Sequence, residues 1–158
     1  MAINKDFEDF FKCLKHNQTE YLVIGGYAHI YYTEPRYTKD LDILVNPTKE
    51  NSVKVYKTIC QFFGTTLKEI SPDSFVEINK PAEIVYGIGN PPNRIDILTS
   101  IPGVKFSSAW ERKTSFKYGQ VSVWVINRKD LEKNFKEVRK LNSKLNHKYG
   151  YFLDKLKG

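Results

Sequence analysis

Asp40 and Asp42 stand two residues apart in the run Arg36-Tyr-Thr-Lys-Asp-Leu-Asp-Ile-Leu-Val45. Residues i and i+2 of an extended strand leave from the same face, roughly 6 to 7 Å apart along the backbone, so the two carboxylates would project side by side. That spacing suits a divalent cation. Leu41, Ile43 and Val45 would fill the opposite, buried face, which lets two acids sit in an otherwise apolar strand. A third carboxylate, Asp96, lies in a second apolar strand, Arg94-Ile-Asp-Ile-Leu98, and the short run Leu22-Val-Ile-Gly-Gly26 precedes both. Three acids on neighbouring strands beside a glycine turn describe a site for magnesium and a nucleoside triphosphate.

The elements that would position these residues are readable in order. Phe7, Phe10, Phe11 and Leu14 form the stripe of a first amphipathic helix ending near His16-Asn17. Tyr21 to Ile24 reads as a buried strand, broken by Gly25-Gly26 before a helical segment from Tyr27 to Tyr32. Thr48 is the expected cap of a helix with Val53, Tyr56, Cys60 and Phe63 on its buried face and Gly64 at its end. Leu67–Ile70 and Phe75–Ile78 alternate weakly enough to be short strands. The segments 84–88 and 94–98 flank the turn-rich Gly89-Asn-Pro-Pro-Asn93 and should form a hairpin. Phe106 to Arg112 reads as a short helix and Val121 to Ile126 as a strand. A last, basic helix over about 128–148 would dock through Leu131, Phe135, Val138, Leu141 and Leu145. The fold expected is α+β, a mixed sheet with helices packed on it, in a single compact domain over 1–158 whose core spans about 18–127.

With 41% hydrophobic and 14% aromatic residues in 158, the chain can build one core. It has no apolar run of the ~20 residues that cross a bilayer and no signal-peptide pattern, so the expectation is a cytoplasmic protein with no membrane partner. Cys13 and Cys60 lack CxxC spacing and should be buried, reduced thiols, and His16, His29 and His147 lack the spacing of a zinc site. The formal charge of +7 is uneven: from Arg128 onward there are ten Lys or Arg against four acids. Such a segment can bind tRNA, another nucleic acid or an acidic partner, or simply be a solvated helix face.

Glycines at a strand-to-helix turn let backbone N–H groups approach phosphate oxygens while the helix dipole adds attraction. Thirteen residues lie between Gly26 and Asp40, enough for about two helical turns and a return loop, so glycines and acids can meet at one sheet edge. Arg36 and Lys39 are close enough to neutralise phosphate, and Thr38 can bond a phosphate or brace the loop; otherwise the three form a solvated basic loop. Arg94 would share the face of Asp96, either pairing with it or reaching a phosphate.

Gly25-Gly26, then Pro35-Arg36-Tyr-Thr38-Lys-Asp40-Leu-Asp42, then Pro91-Pro-Asn-Arg-Ile-Asp96-Ile-Leu-Thr-Ser, resembles the nucleotidyltransferase domain of the DNA polymerase beta superfamily, over about Tyr21 to Asp130. Among its members the chain is most similar to small bacterial abortive-infection and toxin–antitoxin nucleotidyltransferases. The resemblance implies that Gly25 and Gly26 hold the triphosphate, that Asp40 and Asp42 ligate Mg2+, and that Asp96 completes a two-metal site and assists the attacking hydroxyl. A nucleoside monophosphate would pass from a triphosphate to a hydroxyl of a small molecule, a protein or tRNA. The alternative is a catalytically weak nucleotide-binding protein of antitoxin type that docks a cognate partner. One departure stands out: after Asp130-Leu131 the resemblance leads one to expect an Asn-Lys pair, where this chain has Asn134-Phe135-Lys136. Lys133 or Lys136 would have to substitute from a neighbouring position.

Overall fold

The structure, a computed structural model, describes residues 2–34, 40–76, 83–90, 93–142, 144 and 146–157. Its frame is a six-stranded mixed sheet, β1 (Tyr21–Ile24), β2 (Leu41–Val45), β3 (Ile84–Ile88), β4 (Ile95–Leu98), β5 (Thr114–Tyr118) and β6 (Val121–Val125), in the order β3-β4-β2-β1-β6-β5. β1 and β2 are antiparallel, β2 and β4 parallel, β3 and β4 antiparallel, β1 and β6 parallel, and β5 and β6 antiparallel. With helices packed on this sheet, the chain is an α+β fold, as its sequence pattern requires.

The first helix, α1 (Lys5–His16), begins where the Asn4 side chain accepts from the N–H groups of Asp6 and Phe7, and buries the expected Phe7, Phe10, Phe11 and Leu14. Between β1 and β2 lies α2 (Gly25–Tyr32), whose first turn contains both glycines; they start the helix rather than precede it. α3 (Lys49–Phe63) is capped by Thr48 and stopped by left-handed Gly64, as expected. Its buried face differs from the expected one: Asn51, Ser52, Val55, Thr58 and Ile59 point inward, while Val53 and Phe63 are exposed. Polar residues occupy that face because the fold satisfies them. Asn51 accepts from the Glu20 N–H and donates to the carbonyls of Glu20 and Asn46, clamping the start of β1 to the exit of β2. Thr58 shares a 2.8 Å hydrogen bond with Thr19.

Three other expectations are corrected. Leu67–Ile70 is not a strand, and Phe75 belongs to a single 3₁₀ turn, Pro72–Phe75, that buries its ring; part of the second expected strand, residues 77 and 78, lies outside the described residues. β5 was not anticipated, because Thr-Ser-Phe-Lys-Tyr carries too few apolar residues to signal a strand; it forms by pairing with β6 through a turn at Gly119. The basic helix is two helices, α5 (Arg128–Leu141) and α6 (Asn146–Lys157), with α4 (Phe106–Glu111) earlier in the chain as expected. Asn142 leaves helical geometry for an extended backbone, Leu141 is exposed, and Leu145 lies outside the described residues. Cys13 and Cys60 are free thiols, half-buried rather than buried. Among the described residues no helix is long and apolar enough to cross a membrane.

α5 and α6 pack on each other and on α2 through aromatic rings. Phe135 of α5 lies 5.1 Å from Tyr149 and 5.3 Å from Phe152 of α6, and Phe152 lies 4.5 Å from His29 of α2. The far end of α6 is held where the Arg128 guanidinium donates to the Leu156 carbonyl at 3.0 Å.

Candidate carboxylate site

Strand register brings the acids together. Asp42 of β2 is the parallel partner of Asp96 of β4, Asp42 also faces Ile24 of β1, and Asp96 faces Gly87 of β3. The four residues form one row across four strands, with the two carboxylates at its centre. Cross-strand partners share a face of the sheet, so Asp42 and Asp96 leave the same side. Asp40 lies just before β2, and its carboxylate accepts from the Arg94 N–H at 3.1 Å.

Glycine brackets this row. A Cβ added to Gly25 would come within 2.5 Å of Asp42 Oδ2, and its backbone is left-handed at φ +66°. A Cβ on Gly87 would press on Arg94 Cδ at 3.1 Å. Sequence reasoning singled out the first glycine and missed the second, whose signal was a glycine inside the strand pattern Ile84-Val-Tyr-Gly-Ile88. Gly25→Ala should therefore displace the Asp42 carboxylate and cost about 1–2 kcal/mol of stability from the left-handed backbone alone. Chemical denaturation checks the energy. Nucleotide titration checks the displacement.

The charges are balanced from within. Arg94 donates to Asp96 Oδ1 from Nε at 2.5 Å and to Oδ2 from Nη2 at 3.1 Å, and Nη2 also lies 4.0 Å from Asp40 Oδ2. Of the two roles open to Arg94 in the sequence, the structure displays pairing with the acid. Asp96 is buried and its partner supplies the compensation that a buried carboxylate needs. Asp42 has no comparable partner. Burial first, then the charges of Asp96 and Asp40, push its carboxyl up to about 7, against a weaker opposing pull from Lys148 and Arg94.

The contributions of Lys148 and Tyr149 to this site were not legible in the sequence. Burial and the neighbouring Asp42 charge raise the Tyr149 phenol above its ordinary value. Lys148 is carried by the same turn of α6, with its ammonium 5.6 Å from the Tyr149 ring centre. Phe135, where a lysine was expected, is buried beneath these residues. Neither suggested substitute reaches the row: Lys136 pairs with Glu132 at 2.9 Å, and Lys133 lines a separate recess.

Among the described residues, no three His, Cys, Asp or Glu side chains converge as a metal-holding group. The expected convergence of three acids is thus seen as a register pair, Asp42 and Asp96, with Asp40 joined to it through Arg94. The donors nevertheless fit a hard cation: they are carboxylate oxygens, they repel one another enough to hold Asp42 partly protonated, and a guanidinium already offsets them. Gly25 and Gly26 begin α2 with no side chain capping the first-turn N–H groups, beside Asp42. Arg36, Thr38 and Lys39 lie outside the described residues. The sequence matches no protein-family model and no curated protein.

Proposed function

We propose that this chain is a magnesium-dependent nucleotidyltransferase of the DNA polymerase beta type. The observation that carries the reading is the row Ile24–Asp42–Asp96–Gly87, two in-register carboxylates set against the uncapped, glycine-started helix α2. Asp42 and Asp96, with Asp40, would hold divalent metal; when bound, such ions offset the charge that develops on the attacking and leaving oxygens. The uncapped N–H groups of Gly25 and Gly26 bind triphosphate oxygens. Arg94, once its carboxylates have another counter-charge, has donors to offer phosphate, and Lys148 adds a second positive charge beside Asp42. The acceptor hydroxyl attacks the α-phosphorus and its proton passes to Asp96. The bond to the pyrophosphate oxygen breaks, and pyrophosphate leaves with the electron pair. The acceptor is a small molecule, a protein or tRNA, in the cytoplasm where triphosphates are supplied.

A second reading, nucleotide binding without efficient transfer in an antitoxin-type protein that docks a cognate partner, draws on the grip of Arg94 on Asp96 and Asp40. One experiment separates the two. The protein is incubated with each α-labelled nucleoside triphosphate and magnesium, and label is sought on protein, tRNA and small hydroxylated acceptors. Transfer that stops on chelation supports the enzyme. Saturable triphosphate binding with no labelled product supports the binding protein, and neither result sinks both.

A further inference from the structure

A second site lies apart from the carboxylate row and shares no residue with it. It is a recess of about 490 Å³ between the segment 101–105, α4 and the first turns of α5. That volume falls within the range of small-molecule sites. Its walls are Ile101 and Val104, and its polar rim carries Lys105, Arg112 and Lys133 together with the Ser108 hydroxyl. The one carboxylate in it, Asp130, is buried and bonds Arg112 twice, from Nε at 3.1 Å and Nη2 at 2.8 Å.

That bidentate bond sets the charge of the recess. Asp130 cancels Arg112, so Lys105 and Lys133 leave a surplus of two positive charges. It also fixes the guanidinium plane, and two of its five N–H groups are used on Asp130, which leaves three donors on a pre-oriented fork. A carboxylate or a phosphodiester would answer only one of the two surplus charges. A phosphate monoester carries close to two at neutral pH and presents three acceptor oxygens. The recess is built around position as well as charge. Gly103 is left-handed at φ +79°, and a Cβ there would strike Glu137 Cγ at 2.5 Å, so the segment lies close against α5. Asn134 fixes the same contact by donating to the Pro102 carbonyl at 2.9 Å.

We infer that this recess, rimmed by Lys105, Lys133 and the Asp130-held Arg112, is a binding site for a phosphate monoester, with Ile101 and Val104 receiving the organic part. It is independent of the nucleotidyltransferase reading, because none of its residues belongs to the carboxylate row. The monoester is either a free phosphorylated metabolite or the 5′-phosphate end of an RNA.

The test is calorimetric titration at pH 8 without magnesium, using ribose 5-phosphate, ribose, and a short RNA with either a 5′-phosphate or a 5′-hydroxyl. Saturable binding of ribose 5-phosphate, none of ribose, and at least a tenfold loss in Lys105→Gln/Lys133→Gln are expected. Both lysines are exposed, so the fold should survive. Asp42→Asn should bind as the wild type does, which separates this site from the carboxylate row. A tenfold preference for the 5′-phosphorylated RNA that vanishes in the double variant would assign the monoester to RNA; equal binding of both RNAs alongside ribose 5-phosphate would assign it to a metabolite. No saturable binding of either phosphorylated probe, or binding that the double variant leaves unchanged, overturns the site.

Discussion

Asp42→Asn is expected to stabilise the metal-free protein at pH 8 and, in the same molecule, to remove nucleotidyl transfer. The two effects share one cause. In the unfolded chain the Asp42 carboxyl titrates near 3.8, whereas burial and the nearby acids raise it to about 7 in the fold. The folded state therefore binds this proton more tightly than the unfolded state. Its contribution to stability is fully present below about 3.8 and is lost as the pH rises to about 7. The upper bound of that loss is about 4 kcal/mol, and partial solvation of the side chain brings the expected value to about 2 kcal/mol, or roughly 5 °C in melting temperature. Asparagine is neutral throughout and flattens the slope. Melting curves from pH 5 to 8, without magnesium, should fall for the wild type and stay level for the variant. Equal slopes would remove Asp42 as the cause. Transfer should drop by at least about 10³-fold, since a metal ligand supplies several kcal/mol of transition-state stabilisation.

Phe135→Ala should cost about 3–5 kcal/mol, the usual range for emptying a buried aromatic site. Its ring is 2% exposed and contacts Tyr149, Phe152 and His29, so most of what it touches is the α6–α2 seam. The loss should be local. Amide exchange in α6 should accelerate ahead of exchange in β1, β2 and β4, and triphosphate affinity should weaken as Lys148 drifts from Asp42. Phe135→Leu, which keeps much of the volume, should retain most of the protection. If α6 and the sheet exchange together in the alanine variant, Phe135 is a global core residue and not the anchor of α6.

The legible parts of the chain were those in which one strand or helix carries its own signal. Asp42 and Asp96 alternate with Leu41, Ile43, Ile95 and Ile97, and this alternation gave both strands and their polar face. Asp40 kept its place near them but sits outside β2, so the i, i+2 argument alone does not describe it. What the sequence hid is what distant partners decide. The buried face of α3 was misplaced because Asn51 and Thr58 find hydrogen bonds inside, on Glu20, Asn46 and Thr19, and polarity then ceases to mark the outer side. Lys148 is about fifty residues from Asp96 and belongs to no motif; only the docking of Tyr149 and Phe152 on Phe135 brings it to the acids.

The parallel seam between β1 and β6 orders the assembly of the molecule. β1 to β4 can complete their pairing within the first 98 residues, and with it the row that holds Asp42 and Asp96. The seam itself rests on one register pair, Val23 with Val125, and the 3.0 Å bond from the Ile126 N–H to the Val23 carbonyl. Closing it encloses roughly a hundred residues of chain, a loop whose entropy is recovered only when the hairpin β5–β6 and the helices after it dock. The acids are thus set by the earlier half of the chain, and the aromatic layer that covers Asp42 and brings its lysine arrives with the later half.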